Sequence, residues 1–326
     1  MWRDCNLSDK DFEHVPVLFN ECMEQLAIKP DGIYVDCTAG GGGHSRGILE
    51  RLSSKGTLIS LDKDDSALRT CLKSSREYEG KNWIIVKSDF SEIDYVIGSM
   101  KIGPVDGILA DLGVSSHQID TPERGFSYVN DGPLDMRMDE QQILTAATVV
   151  NSYSEQELER IFRDYGEERF SGRIASCIVR DRKTKPFTRT KELADKITEY
   201  MPAQGRNEDQ HPARRCFQAL RIEVNHELSS VEKLLKDGPR CLKPGGRMAV
   251  ISFHSLEDRI VKEAFRKLES PCTCPRDFPV CVCGKKSLGT VITKKPVTAS
   301  EDEIKTNSRA HCCKLRVFER NDVYER

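Results

Sequence analysis

The chain lacks a long apolar run, is poor in aromatic residues and has no marked excess of either charge. Aromatics make up 7% of its 326 residues, with only two tryptophans. No stretch is long and apolar enough to span a bilayer as a helix, so no membrane partner is expected. The segment Met1 to Glu13 carries several acids and no apolar centre, so a secretory leader is not expected; nor is it Arg-rich and acid-poor, as an intact transit peptide is. A formal net charge of -2 excludes a uniformly basic nucleic-acid binder but leaves room for a local basic patch. Internal repeats and low-complexity tracts are lacking too.

Cysteine, by contrast, is plentiful at 13 residues, an odd count. Cys22, Cys37, Cys71, Cys177, Cys216 and Cys241 fall singly within apparent core elements, as buried reduced thiols do. Without a leader, a reducing compartment is the expected setting. Only Cys272 to Cys283 and Cys312-Cys313 are clustered. Cys272, Cys274, Cys281 and Cys283 form two C-x-C pairs, tighter than the usual C-x2-C of zinc sites. The spacing therefore favours reduced thiols, and no metal is expected.

The length suits one large domain with an insertion, or two small ones. Residues 32–36, 57–62, 83–86 and 105–111 read as strands separated by helical patterns, the rhythm of a parallel α/β sheet. The rhythm stops after Asp111. Residues 113–138 are rich in Gly, Pro and Asp and read as a long functional loop. Helical patterns follow, the first opened by the capping-box pair Ser154 and Glu157, another by Thr190, with no strand expected between about 140 and 213. One helix is expected from Cys216 to Leu235, then a strand over 247–253, a helix opened by Ser255, and two late strands, 289–294 and 314–319, paired antiparallel. The expected architecture is an α/β domain, 1–112 and 214–326, interrupted at 113–213 by a connecting loop and an all-helical insertion.

Asp36-Cys37-Thr38-Ala39-Gly40-Gly41-Gly42-Gly43-His44 joins the first strand to the first helix. Consecutive glycines let the backbone approach a ligand closely, and the following helix aims its N–H groups there. Asp62 ends the second strand, where an acid suits a ribose diol. The dinucleotide fingerprint G-x-G-x-x-G fails, because the third glycine is replaced by Ser45 in one register and Arg46 in the other. Adenosylmethionine fits this loop better than a nicotinamide cofactor. Asp111 ends the fourth strand, where open α/β sheets bind ligands, with Ser115 and Ser116 on the same loop; a plain turn-capping role is the alternative for Asp111. Ser252, His254 and Ser255 follow the fifth strand, but no G-x-S-x-G elbow accompanies them, which argues against a hydrolase.

These segments resemble, in order and over nearly the whole chain, the bacterial-type ribosomal small-subunit RNA cytosine-N4 methyltransferases, which have organelle relatives. Matching stretches are His14-Val15-Pro16-Val17-Leu18, Gly42-Gly43-His44-Ser45, Asp111-Leu112-Gly113-Val114-Ser115-Ser116, Pro122 to Ser127, Asp131 to Asp139, Tyr165 to Arg169, Phe217 to Asn225, Ser252 to Arg259 and Lys314-Leu315-Arg316. Departures are local: Cys37 stands where glycine is common, and Ser308 and His311-Cys312-Cys313 replace the usual tail residues. The resemblance implies a class I (Rossmann-like) sheet, S-adenosylmethionine as methyl donor, and a decoding-region (P-site) cytosine of 16S-type rRNA, within the 30S subunit, as target. It implies cofactor contacts at Gly42, Gly43, His44, Asp62, Phe90, Asp111 and Gln118. It also implies a cytoplasmic setting, or an organelle matrix if the start is processed or truncated.

Cytosine's exocyclic amine is a weak nucleophile, since its lone pair is delocalised into the ring. Methyl transfer needs it aimed in line at the sulfonium carbon, and an acceptor for an amine proton helps hold it there. Asp111 is the leading candidate, with Ser115 and Ser116 beside it. For RNA, Arg124, Phe126, Tyr128 and Arg137 interleave arginine with aromatics, with ordinary anchoring of the loop by buried aromatics as the alternative. Residues 169–221 carry 13 Lys/Arg against 6 Asp/Glu, and within them Arg180, Arg182 and Lys183 are the expected phosphate contacts. A nicotinamide-dependent oxidoreductase and a non-catalytic RNA-binding module are the competing classes.

Overall fold

A computed structural model describes residues 16–206, 210–275, 280 and 282–322. His14, Val15 and Cys281, singled out above, lie outside the described residues. After a short helix α1 (Phe19–Gln25), the chain alternates β1 (Ile33–Asp36), α2 (Gly43–Arg51), β2 (Thr57–Asp62), α3 (Asp65–Ser74), β3 (Asn82–Lys87), α4 (Ile93–Met100) and β4 (Val105–Asp111). A short helix α5 (Ser116–Asp120) opens the insertion. Then come α6 (Ala146–Ser152), α7 (Glu155–Asp164), α8 (Ser171–Asp181), α9 (Thr190–Tyr200), α10 (Ala203–Arg206) and α11 (Arg214–Asn225), with no strand between them among the described residues. The α/β rhythm resumes with α12 (Glu227–Cys241), β5 (Leu242–Ser252), α13 (Ser255–Glu269), β6 (Gly289–Val291), α14 (Glu301–Thr306) and β7 (Lys314–Arg320).

The seven strands form one sheet in the order β3-β2-β1-β4-β5-β7-β6. β1 to β5 are parallel, and β7 enters antiparallel between β5 and β6. The two late strands pair as expected. Residues Val105 to Ala110 of β4 are all buried, as a central strand covered on both faces must be, whereas β3 at the edge alternates exposed with half-buried positions. Neighbouring residues face opposite layers: Val35, Ile59, Ile108 and Val250 pack into one cluster, Tyr34, Leu58, Leu109 and Ile251 into the other. No helix among the described residues is long and apolar enough to cross a membrane.

The insertion has its own core. Leu158, Ile161 and Phe162 of α7 meet Ile174 and Ile178 of α8, and the cluster continues into α11 through Phe217, Leu220 and Val224. The helix expected from Cys216 to Leu235 is therefore two helices, broken at His226, whose φ of 53° is left-handed. The buried cluster shared by α6 to α9 extends through α11 as far as Val224. The α7 capping box is present: Ser154 accepts the Glu157 N–H at 3.3 Å and Glu157 accepts that of Ser154 at 2.7 Å. Thr190 does not cap α9. It is the first helical residue, and its hydroxyl accepts the Gly132 N–H at 3.0 Å, tying the helix to the loop.

Residues 113–138 are not a free loop. Phe126, Leu134, Met136 and Met138 are buried in the insertion's core. Arg124 is 7% exposed. It donates to Asp64 at 2.7 Å and to the carbonyls of Arg137 and Met138 at 2.9 and 3.0 Å. Burial pushes the Asp64 carboxyl up, but hydrogen bonds from Gln118, Ser66 and Arg124 outweigh it and hold the group below its usual range. The pair's contribution is therefore present above the unfolded-state pKa of Asp64 and is lost as pH falls through the lower folded value. Arg124→Ala, which leaves Asp64 buried with its cation removed, is expected to destabilise the chain by about 3–5 kcal/mol. Thermal unfolding at neutral pH checks this; an unchanged melting temperature contradicts it.

Candidate active site

The carboxyl ends of β1, β2 and β4 bring three acids to one edge of the sheet. Asp36, at the end of β1, is buried and accepts from the Ser45 hydroxyl at 2.6 Å and the Thr38 N–H at 3.1 Å. The turn beyond it has left-handed φ at Gly40 and at Gly42, the residue preceding α2, and no side chain caps that helix. A Cβ at Gly43 would lie 2.2 Å from Pro16. A Cβ at Gly41 would meet no atom within 4 Å. One side of the turn is thus packed tight, and the other is an open cradle with uncapped N–H groups behind it.

Asp62 bounds that cradle. Its two carboxylate oxygens accept the N–H groups of Gly40 at 2.8 Å and Asp64 at 2.9 Å. Each oxygen keeps acceptor capacity for a hydroxyl. Burial pushes this carboxyl up to about 6, against the pull of the two backbone bonds. Half-buried Phe90 begins the single turn after β3, following Asp89, which accepts from Lys63 at 3.1 Å. A cleft of about 540 Å³ opens beside them, lined by Lys63, Asp89, Asn225 and His226 among others.

Asp111 is the most unusual group. Its N–H donates to the Thr38 hydroxyl at 2.7 Å, which locks β4 to the turn after β1. Its Oδ1 is buried and has no hydrogen-bond partner, and Oδ2 lies 3.6 Å from His44 Nδ1. Burial, then the neighbouring Asp36 and Glu257, push the carboxyl up to about 8. His44 places Nε2 3.1 Å from the Val17 carbonyl, which can only accept, so that nitrogen carries the proton and Nδ1 faces Asp111. An open glycine cradle and an unpartnered buried carboxyl oxygen beside it fit a nucleoside cofactor with a cationic centre.

The other expected site residues divide. Ser115 is the N-cap of α5: its hydroxyl accepts the Gln118 N–H at 3.3 Å, and Gln118 returns a bond from the Ser115 N–H at 3.0 Å. Ser115 thus has a structural role that its place in the loop did not reveal. Ser116 is half-buried in the first turn of that helix. Gln118 is buried, and its Nε2 donates to Asp64 at 2.8 Å, which leaves one N–H for a ligand. Arg124 and Phe126 are interior groups, and Arg137 is a loop staple, bonded to both oxygens of Asp135 and to the carbonyls of Glu140 and Gln142. Arg124 and Phe126 are thus turned away from solvent, and Arg137, about a quarter exposed, is bonded within its own loop.

Arg180, Arg182 and Lys183 lie at the C-terminal end of α8, in the layer packed on α7 and α9, and not at the sheet edge. Arg180 and Lys183 are exposed, with Arg180 paired to Asp181, while Arg182 donates to the Val150 carbonyl at 2.7 Å. No Ser-His arrangement forms after β5. Ser252 donates to the Lys314 carbonyl at 3.4 Å, and Ser255 donates to Glu167 at 2.5 Å. His254, not Ser255, caps α13, and its Nε2 lies 3.1 Å from Glu257. Sequence reasoning missed Thr38, Asp64 and Asn225. The D-x-S pattern of Asp64 and Ser66 ahead of a helix was the available signal for Asp64.

Dinucleotide sheets of order 3-2-1-4-5-6 have no reversed strand between the last two. The antiparallel β7 in that position, with the interrupted glycine fingerprint, makes this an S-adenosylmethionine-dependent methyltransferase. The chain belongs to the MraW methylase family, whose model matches residues 11–321. It is 55% identical over 310 residues to the ribosomal RNA small subunit methyltransferase H of Carboxydothermus hydrogenoformans, covering 95% of this chain and 98% of that one. It is 54% identical over 309 residues to the protein of that name from Caldicellulosiruptor saccharolyticus, covering 95% and 99%. A solved rRNA-methylase structure from Clostridium thermocellum aligns over 94% of this chain and 99% of that one, with 11% identity and a TM-score of 0.45.

Two outcomes follow from the acids. Asp62→Asn is expected to weaken adenosylmethionine binding by about 1.5–3 kcal/mol, since a charge-assisted acceptor becomes a neutral one. In the parent, affinity is expected to fall as pH drops through about 6, where Asp62 gains a proton. Calorimetry across pH checks both. Asp111 has a folded-state pKa above its unfolded one, so the native state binds its proton more tightly and stability falls as pH rises from 3.8 towards about 8. Asp111→Asn removes that cost and is expected to stabilise the cofactor-free protein at pH 8, on the order of 1–3 kcal/mol, seen as a raised melting temperature.

Proposed function

We propose that this chain methylates the N4 amine of a decoding-region (P-site) cytosine in small-subunit 16S-type rRNA within the 30S subunit, in the cytoplasm, and so contributes to decoding fidelity. The observation that carries the reading is the buried, unpartnered Oδ1 of Asp111 beside the open glycine cradle. The printed name of the relatives supports small-subunit rRNA as substrate. An exocyclic amine is the kind of target that calls for an acceptor at that position.

Adenosylmethionine, when bound, supplies an electrophilic methyl group. Gly42, Gly43 and His44 at the head of α2, Asp62, Phe90 and Gln118 are the residues proposed to hold it. Asp111 holds the amine by accepting one of its N–H bonds, and Ser116 lies on the same loop. Asp111 would aim the amine at that methyl group and would take up, directly or through solvent, the proton that the amine gives up on methylation. A carboxyl with a pKa pushed up to about 8 is well matched to take that proton near neutral pH. On the insertion, exposed Arg180 and Lys183 are proposed to meet the RNA backbone. Arg182 joins them only through the part of its guanidinium not bonded to Val150.

Mass spectrometry of small-subunit rRNA from cells without this protein is expected to lack one N4-methylcytidine. The parent gene restores it and Asp111→Ala does not; an unchanged methylation pattern refutes the reading. Arg180→Glu with Lys183→Glu is expected to weaken RNA binding and to leave adenosylmethionine affinity unchanged. The salt dependence of RNA binding is expected to flatten by up to roughly 0.7–0.9 log units for each phosphate no longer neutralised. Binding equal to the parent at every salt concentration would place the RNA elsewhere.

A further inference from the structure

The segment between α13 and β6 has no apolar reason to hold its shape. Every described residue from Pro271 to Ser287 is exposed or half-buried, and Val280 and Val282 are 69% and 73% exposed. Yet three sulfurs converge there. Cys272, Cys274 and Cys283 each bring Sγ within 4.8 Å of the other two. The separation of Cys272 and Cys283 is 3.8 Å. A disulfide needs about 2.05 Å. Two thiolates on one tetrahedral zinc, with bonds of about 2.3 Å, stand about 3.8 Å apart, the edge of the tetrahedron. The observed separation is well beyond a covalent bond and matches that edge, as it also matches an S–H···S hydrogen bond between the two thiols.

Two hydrogen bonds tie the segment together around the sulfurs. The Val282 N–H donates to Cys274 Sγ at 3.4 Å. Lys285 donates to the hydroxyl of Thr273, which stands between Cys272 and Cys274, at 3.2 Å. Cys283 lies beside the C-x-C pair of Cys272 and Cys274 although it is distant from them in sequence.

We propose that Cys272, Cys274 and Cys283 form a structural zinc site that staples the α13–β6 segment. On binding, each thiol releases its proton and the three thiolates bond to Zn²⁺ with no change of oxidation state. Cys281 lies outside the described residues and is not required for three-point ligation. The site is remote in role from methyl transfer: none of these residues belongs to the glycine turn or the acids around it.

The test uses the full chain, purified without a histidine tag under reductant and dialysed free of loose metal. Elemental analysis is expected to find about one zinc per chain. Exchange with Co²⁺ is expected to give the intense near-ultraviolet band of thiolate-to-cobalt charge transfer. Cys272→Ser with Cys274→Ser is expected to lose both the zinc and that band while keeping adenosylmethionine affinity within about twofold, since the cofactor edge is untouched. Zinc far below stoichiometry together with no cobalt–thiolate band in the reduced parent overturns the proposal. So does metal retained unchanged in the double variant. If the double variant fails to fold, Cys283→Ser alone and zinc release from the parent by a thiol-blocking mercurial decide the same question.

Discussion

The ion pair between Arg124 and Asp64 is the constraint on which both halves of the molecule depend. Both groups are almost fully buried, at 7% and 1% exposure. Asp64 caps α3 two residues beyond Asp62, so it is fixed to the end of β2. Arg124 belongs to the segment that carries the insertion, and Gln118 bonds the same Asp64 oxygen. Desolvating such a pair is costly, and an apolar replacement would often be equally stable. What the pair supplies is position. It holds residues 115–138 against the end of β2, so the carboxyl edge of the sheet and the insertion are joined there.

The acids at that edge shape its electrostatics. Burial raises the pKa of Asp36, Asp62 and Asp111, against hydrogen bonds that lower the first two. Buried carboxyls whose pKa is raised mark a site short of positive charge. A sulfonium placed among them favours their ionised forms, so cofactor binding there is coupled to proton release. The stability lost by burying Asp111 without a partner is recovered only when a cation or an amine donor sits beside it. That is the pattern expected of a functional site, where local consistency is broken for a reason.

The sheet was legible because its signals are local. Apolar runs of strand length, a glycine turn and an acid at the end of β2 need no knowledge of the rest of the chain. The roles of Arg124 and Phe126 were not legible, because a loop rich in Gly, Pro and Asp does not declare which side chains turn inward. Phe126 lies in the insertion's core, and Arg124 is buried against Asp64 and the carbonyls of Arg137 and Met138. The break at His226 was hidden for a related reason: apolar positions keep helical spacing across it, and only the left-handed φ separates the helix that serves the insertion from the one that serves the sheet. Ser115 was read as chemistry where it is a cap, since sequence places a hydroxyl near a site without giving its direction. At the cysteines, spacing in sequence argued against metal, while the fold brings the sulfurs of Cys272, Cys274 and Cys283 within 4.8 Å of one another.

The insertion also reaches the far side of the same edge. Arg221 of α11 makes two bonds of 2.8 Å to Glu227 of α12, across the break at His226. Glu167, in the turn between α7 and α8, has a left-handed φ of 51° and accepts from Ser255 at the start of α13. Glu257 of that helix accepts the Phe253 N–H at 2.8 Å and is one of the charges acting on Asp111. A left-handed conformation at a non-glycine residue costs of order 1 kcal/mol or more and persists only where surrounding contacts require it. Here the requirement is that β4 and β5 end against residues from the insertion. The acceptor proposed for the target amine is therefore fixed by the glycine turn through Thr38, while the charge of Glu257 in α13 helps to raise its pKa. The insertion, proposed to meet the RNA, is joined to the start of α13 by the bond from Ser255 to Glu167.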